Sequence, residues 1–100
     1  MDRIHHVAIT VTDVDKAIEW YQDHFTFEIS WRDKSWALLE FENIALALVL
    51  PNQHPPHIAF ISNNLESFGD PVLHRDGSES VYIQDHQKNV IELLRFSNVT

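Results

Sequence analysis

The chain has no cysteine in its 100 residues, which excludes a disulfide framework and a thiolate metal site and leaves histidine and carboxylate as the available metal donors. A reducing compartment follows as the simple expectation. It is poor in positive charge: seven Lys and Arg stand against fifteen Asp and Glu, for a net charge of -8. The basic residues are scattered rather than gathered into a stripe, which argues against nucleic acid as a partner. No apolar run approaches the roughly 20 residues that span a bilayer, and Met1-Asp2-Arg3-Ile4-His5 lacks the apolar core of a signal peptide. The expectation is a cytoplasmic protein with no membrane partner. By length it is one domain with a modest core, so a homodimer is expected to add buried surface.

What the chain does have is an internal repeat. His6-Val7-Ala8-Ile9-Thr10-Val11 is echoed by His57-Ile58-Ala59-Phe60-Ile61-Ser62, and Asn43-Ile44-Ala45-Leu46-Ala47-Leu48 by Asn89-Val90-Ile91-Glu92-Leu93-Leu94. A period near 50 residues implies one supersecondary unit used twice. Residues 6–11 alternate as a strand. Thr12 with Asp15 three residues on has the form of a helix cap, and Val14, Ala17, Ile18 and Tyr21 mark an amphipathic helix over about 13–24. Strands are expected over 25–31, 36–41 and 44–50. Pro51, Pro55 and Pro56 then form a stiff connector between module one, 1–51, and module two, 56–97. In module two the place of the helix, 63–70, offers only Leu65 and Phe68 before Gly69 and Pro71, enough for two turns at most. Strands over 57–62, 71–75, 79–84 and 89–96 complete it, with Asp76-Gly77 as a turn signal. The expected fold class is α+β: a single domain of two tandem βαβββ modules with pseudo-two-fold symmetry, the second helix truncated, and a curved mixed sheet enclosing a cleft.

The opening Ile4-His5-His6-Val7-Ala8-Ile9-Thr10-Val11-Thr12-Asp13-Val14, the helix Ala17-Ile18-Glu19-Trp20-Tyr21 and the closing Asn89-Val90-Ile91-Glu92-Leu93 resemble the vicinal oxygen chelate superfamily. That group includes glyoxalase I, extradiol dioxygenases, fosfomycin-resistance transferases, methylmalonyl-CoA epimerase and bleomycin-resistance proteins. The resemblance implies a divalent metal on His6, His57 and Glu92. A fourth ligand of the glyoxalase I kind falls, by the repeat, on Leu46, which counts against that reaction. Ala8 stands where fosfomycin transferases carry Thr, and counts against that one. Two departures concern the backbone: Thr26 replaces a usual glycine after the first helix, and Asp85-His86-Gln87-Lys88-Asn89 replaces a usual Asp-Pro-Asp-Gly-Asn turn.

Strand alternation reaches the same three residues, because it sets His6 among Ile4 and Ala8, and Glu92 among Val90 and Leu94. A carboxylate buried on such a face costs several kcal/mol unless something compensates it. Two imidazoles and one carboxylate suit Fe(II), and with a water in the open position also Zn(II); Mn(II) is a further candidate. The bland alternative is that Glu92 reaches solvent at a sheet edge and the histidines bond to backbone. Tyr82 lies ten residues before Glu92, the spacing at which relatives place a cleft tyrosine, and His74 precedes it as a weaker acid/base candidate; a core tyrosine and a surface histidine are the plain readings. Trp20, Trp31 and Trp36 are pocket, core or dimer contacts. The resemblance thus implies a metal-dependent enzyme acting on a small oxygen-bearing substrate, with extradiol-type dioxygenation ahead of lyase, epimerase or transferase chemistry. Its rival is a metal-free binding protein of the bleomycin-resistance type.

Overall fold

A computed structural model describes residues 1–74 and 77–96. The order of elements is β1 (Arg3–Thr10), α1 (Val14–His24), β2 (Glu28–Arg32), β3 (Trp36–Glu40), β4 (Ala45–Val49), β5 (His57–Ile61), β6 (Val72–Leu73), β7 (Glu79–Gln84) and β8 (Val90–Arg95). The α+β class is as expected, with the first half reading βαβββ. Arg75, Asp76 and Ser97, which the expected strand, turn and second module include, lie outside the described residues.

The chain divides into two units, 6–56 and 1–5 with 57–100, so that β1 contributes residues to both. In the first, the strand order is β2-β3-β4-β1. β1 pairs parallel with β4, and β4 with β3 and β3 with β2 antiparallel. Period-two alternation sorts the side chains. Ala37, Leu39 and Leu48 face α1 and pack on its Val14 and Ile18, while Ala8, Ala47 and Val49 lie on the opposite face with Trp36 and Leu38. In the second unit the order is β5-β8-β7-β6, again with one parallel pair, β5 and β8, and antiparallel neighbours.

The cap of α1 differs from the expectation by one residue. Asp13, not Thr12, is the N-cap, and its carboxylate accepts from Lys16 N at 3.1 Å, which satisfies one of the orphan donors of the first turn. Asp15 is thereby free to take Arg32 at 2.6 Å and Lys34 at 2.7 Å, tying the helix to the β2–β3 turn. The helix ends with Phe25 in extended backbone, its N–H on Tyr21 O, so the absence of glycine near Thr26 is met by a C-terminus that needs no left-handed residue. His24 Nδ1 donates to Trp20 O at 2.7 Å in the last turn.

The second helix is reduced further than two turns: 63–70 contains only turns and bends. Leu65 is fully buried and packs on Val81 and Leu93, doing with one side chain what α1 does with several. Arg95 clamps the segment, donating to Glu66 at 2.8 and 3.0 Å, to Asn63 O at 3.2 Å and to Glu79 at 3.0 Å. The guanidinium holds the Glu66 carboxyl down at about 2.

The β7–β8 turn carries the strain. Asp85 accepts from Gln87 N, Asn89 N and Asn89 Nδ2, and this folds Lys88 into the left-handed region at φ 67°, where a Cβ costs about 1 kcal/mol. We expect Lys88→Gly to raise stability by up to about 1 kcal/mol and Tm by a few degrees. Calorimetry checks this; an unchanged or lower Tm is the contrary result.

Candidate metal centre

Registers decide which side chains meet. On β8, Glu92 stands beside Ala59 of β5 and Tyr82 of β7, and Leu94 beside Ser80. His57, two residues before Ala59, falls on that face too. The opposite face holds Val81, Leu93, Phe60, Ile83 and Ile91 against Leu65. The split is physical: large aliphatics fill the face covered by the 63–70 segment, and the polar groups collect on the other.

His57 and Glu92 are both 6% exposed, and His57 Nε2 lies 3.2 Å from Glu92 Oε1. Burial of either alone would be costly, and the contact offsets it. Among the described residues no buried side-chain nitrogen or oxygen lacks a hydrogen-bond partner. Ligand atoms of His6, His57 and Glu92 all lie within 4.8 Å of one another. Bonds of about 2.0–2.2 Å allow two donors on one ion to stand up to about 4.4 Å apart, so small side-chain adjustments bring this set to a divalent metal. Two neutral nitrogens and one carboxylate oxygen also match the donor preference of Fe(II), Mn(II) or Zn(II). The bland alternative for Glu92, an edge carboxylate in water, does not hold.

Tyr82 packs edge-on to the His57 ring, with centroids 5.4 Å apart and planes at 87°. Its hydroxyl hydrogen-bonds to Glu92, and burial of that end, the Glu92 charge and the bond itself all push its pKa well above the usual phenol value. The residue remains 40% exposed, so Tyr82 is not the core tyrosine of the plain reading. His74 follows β6, and its Nε2 shares a 2.6 Å hydrogen bond with the Ser80 hydroxyl. Ser80 is 1% exposed and stands on the Tyr82 face two residues away. Sequence reasoning missed it; its signal was a small hydroxyl at an inward position of β7.

The β4 position needs correction. Leu46 pairs with Val7 and belongs to the cluster under α1, so it faces away from His6. In register terms the counterpart of Glu92, which faces Ala59, is Ala47, which faces Ala8. The two repeats align one residue differently at this strand than the Asn43/Asn89 match implies. Either residue is apolar, and β4 supplies no fourth donor.

The glyoxalase/bleomycin resistance protein/dioxygenase superfamily model matches residues 3–93. The chain belongs to that superfamily. A superfamily member's fold is also what solved structures share with it. A hypothetical protein from Bacillus halodurans superposes with a TM-score of 0.79 at 13% identity, covering 99% of this chain and 97% of the other. A methylmalonyl-CoA epimerase in complex with methylmalonyl-CoA gives 0.78 at 18% identity, with coverage of 99% and 97%. A Streptomyces coelicolor methylmalonyl-CoA epimerase with 2-nitronate-propionyl-CoA gives 0.77 at 19%, covering 97% and 96%. At these identities the likeness concerns the fold. No curated protein matches this superfamily member in sequence. No helix among its described residues is long and apolar enough to cross a membrane.

The Tyr82–Glu92 contact gives a direct readout. Glu92→Gln removes a negative charge beside the phenol, so the phenolate becomes less unfavourable and Tyr82 should ionise at lower pH. We expect the absorbance rise of tyrosinate in the metal-free variant to begin at lower pH than in the parent. Superimposable alkaline titrations are the contrary result.

Proposed function

We propose that this protein is a metal-dependent enzyme acting on a small oxygen-bearing molecule, with Fe(II), Mn(II) or Zn(II) held by His6, His57 and Glu92. Extradiol-type ring cleavage, in which molecular oxygen is the oxidant and a catechol-like ring is opened, is the reaction we place first. Epimerase, lyase and transferase chemistry use the same open positions and follow it. The observation that carries the reading is the convergence of two imidazoles and a buried carboxylate within 4.8 Å. A bound divalent ion supplies Lewis acidity to vicinal substrate oxygens. Three protein donors with none from β4 leave room for both of those oxygens.

The remaining chemistry belongs to the chain. Tyr82 keeps its proton at neutral pH and donates it to Glu92, so in this reading its hydroxyl oxygen accepts a hydrogen bond from a substrate hydroxyl. Its edge contact with His57 restrains the ring of that histidine. His74, fixed by Ser80, is the second proton-transfer group in this reading, and the Ser80 bond restrains its ring.

Metal analysis tests the proposal against a metal-free binding protein. The protein should hold about one divalent ion per chain, and a chelator should lower its Tm, since a ligand that binds only the folded state stabilises it. Glu92→Ala should abolish both effects. Tyr82→Phe should keep the ion and a Tm within a few degrees while turnover falls about tenfold or more. Metal content unaffected by Glu92→Ala would remove the assignment.

We also propose a homodimer. With 63–70 not helical, Phe68, Val72 and Leu73 are 52%, 60% and 70% exposed, an apolar edge that a second subunit would bury. Sedimentation at micromolar concentration should give twice the monomer mass, and Leu73→Lys should shift it toward monomer. A monomeric parent is the contrary result.

A further inference from the structure

The face of β1 that carries His6 continues, within the same unit, over small residues that are themselves buried, with Trp36 and Leu38 packed against them. His6 stands beside Ala45, and Ala8 beside Ala47. Ala47 faces Leu38 across β4–β3 and Leu38 faces Trp31 across β3–β2, while Trp36 lies beyond Val49 on the same side. The alanines take little volume, and the two tryptophans close the far end. By strand spacings Trp31 lies about 16 Å from His6, three strands across and two residues along.

The two indoles are fixed. Their centroids are 6.2 Å apart and their planes 27° from parallel. Trp31 Nε1 donates to Asp33 Oδ2 at 3.2 Å, and Asp33 accepts from Ser35 N, Ser35 Oγ and Trp36 N at 2.8, 2.7 and 3.0 Å. Three of these bonds fall on Oδ1 and one on Oδ2, so the carboxylate holds the turn and the Trp31 ring together. Arg32 and Lys34, the nearby cations, are bound to Asp15 of α1, and Arg32 opposite Ala37 points to the helix side of the sheet. Trp31 is nonetheless 49% exposed. What it presents is an indole surface with its polar N–H already used.

We propose that the Trp31–Trp36 pair is a distal substrate subsite for a planar aromatic group. The substrate class that follows has its oxygen donors at one end and an aryl or fused heteroaryl ring at the other. The pairing of the two ends rests on the function proposed above; the aromatic subsite itself does not, because its residues and their contacts are independent of any metal.

The test uses 2-naphthol and metal-free protein in a Trp20→Phe background, where emission comes from Trp31 and Trp36. Saturable quenching is expected. Trp31→Leu, which keeps an apolar side chain and loses the ring, should weaken 2-naphthol binding about tenfold with Tm unchanged. Trp31→Phe, which restores a ring without the N–H, should recover most of the affinity. With the divalent ion restored, acetohydroxamate, a chelator lacking a ring, should bind Trp31→Leu and parent alike. Equal 2-naphthol affinity in parent and Trp31→Leu would overturn the proposal. So would a Trp31→Leu effect confined to the sedimentation coefficient, which assigns the surface to a second copy of the chain, or an equal loss of acetohydroxamate binding, which assigns Trp31 to the fold. Failure of metal binding with 2-naphthol binding intact would sink the metal reading and leave the subsite.

Discussion

A glutamate in the middle of β8, almost without water, constrains everything around it. Glu92 has Leu93 and Leu94 as buried chain neighbours, and its charge is offset by His57 Nε2 and the Tyr82 hydroxyl, which are directed at it. Those two groups come from the strands on either side of β8, so the parallel β5–β8 and antiparallel β7–β8 registers both have to be right for one carboxylate to be satisfied. A slip of one residue in either would carry His57 or Tyr82 to the opposite face and leave the charge buried alone. The polar site and the sheet register are the same constraint seen at two scales.

The other face of each unit is covered by different means. α1 brings a stripe of apolar residues to β3 and β4, whereas the equivalent segment of the second unit contributes Leu65 and is held by ion pairs from Arg95. A helix secures itself through its own backbone bonds as well as its packing. A turn has few such bonds, so its position depends on a long cation reaching back from β8. Arg95 donates to Glu79 as well, which links the clamp to the strand that carries Ser80 and Tyr82.

Asp33 illustrates how a surface residue shapes an apolar one. Its carboxylate gathers the β2–β3 turn and takes the indole N–H of Trp31, so a large ring is held in place with little freedom left to lose on contact with a ligand.

The alternation of β1, β5 and β8, the start of α1 within a residue, the proline connector and the weakness of the second helix were all legible in the sequence, because each depends on residues within one or two turns or strand positions of each other. His6, His57 and Glu92 were legible as polar groups on apolar faces for the same reason. Their approach within 4.8 Å was not, since it brings together side chains up to 86 residues apart in the chain. Only the tertiary structure decided that Ala47 rather than Leu46 is the counterpart of Glu92, that Asp13 rather than Thr12 caps α1, and that Ser80 meets His74, Arg95 meets Glu66 and Asp33 holds Trp31. Local periodicity assigns a side chain to a face; which side chain it meets there is set by register and by long polar groups reaching across elements, and those are properties of the packed chain.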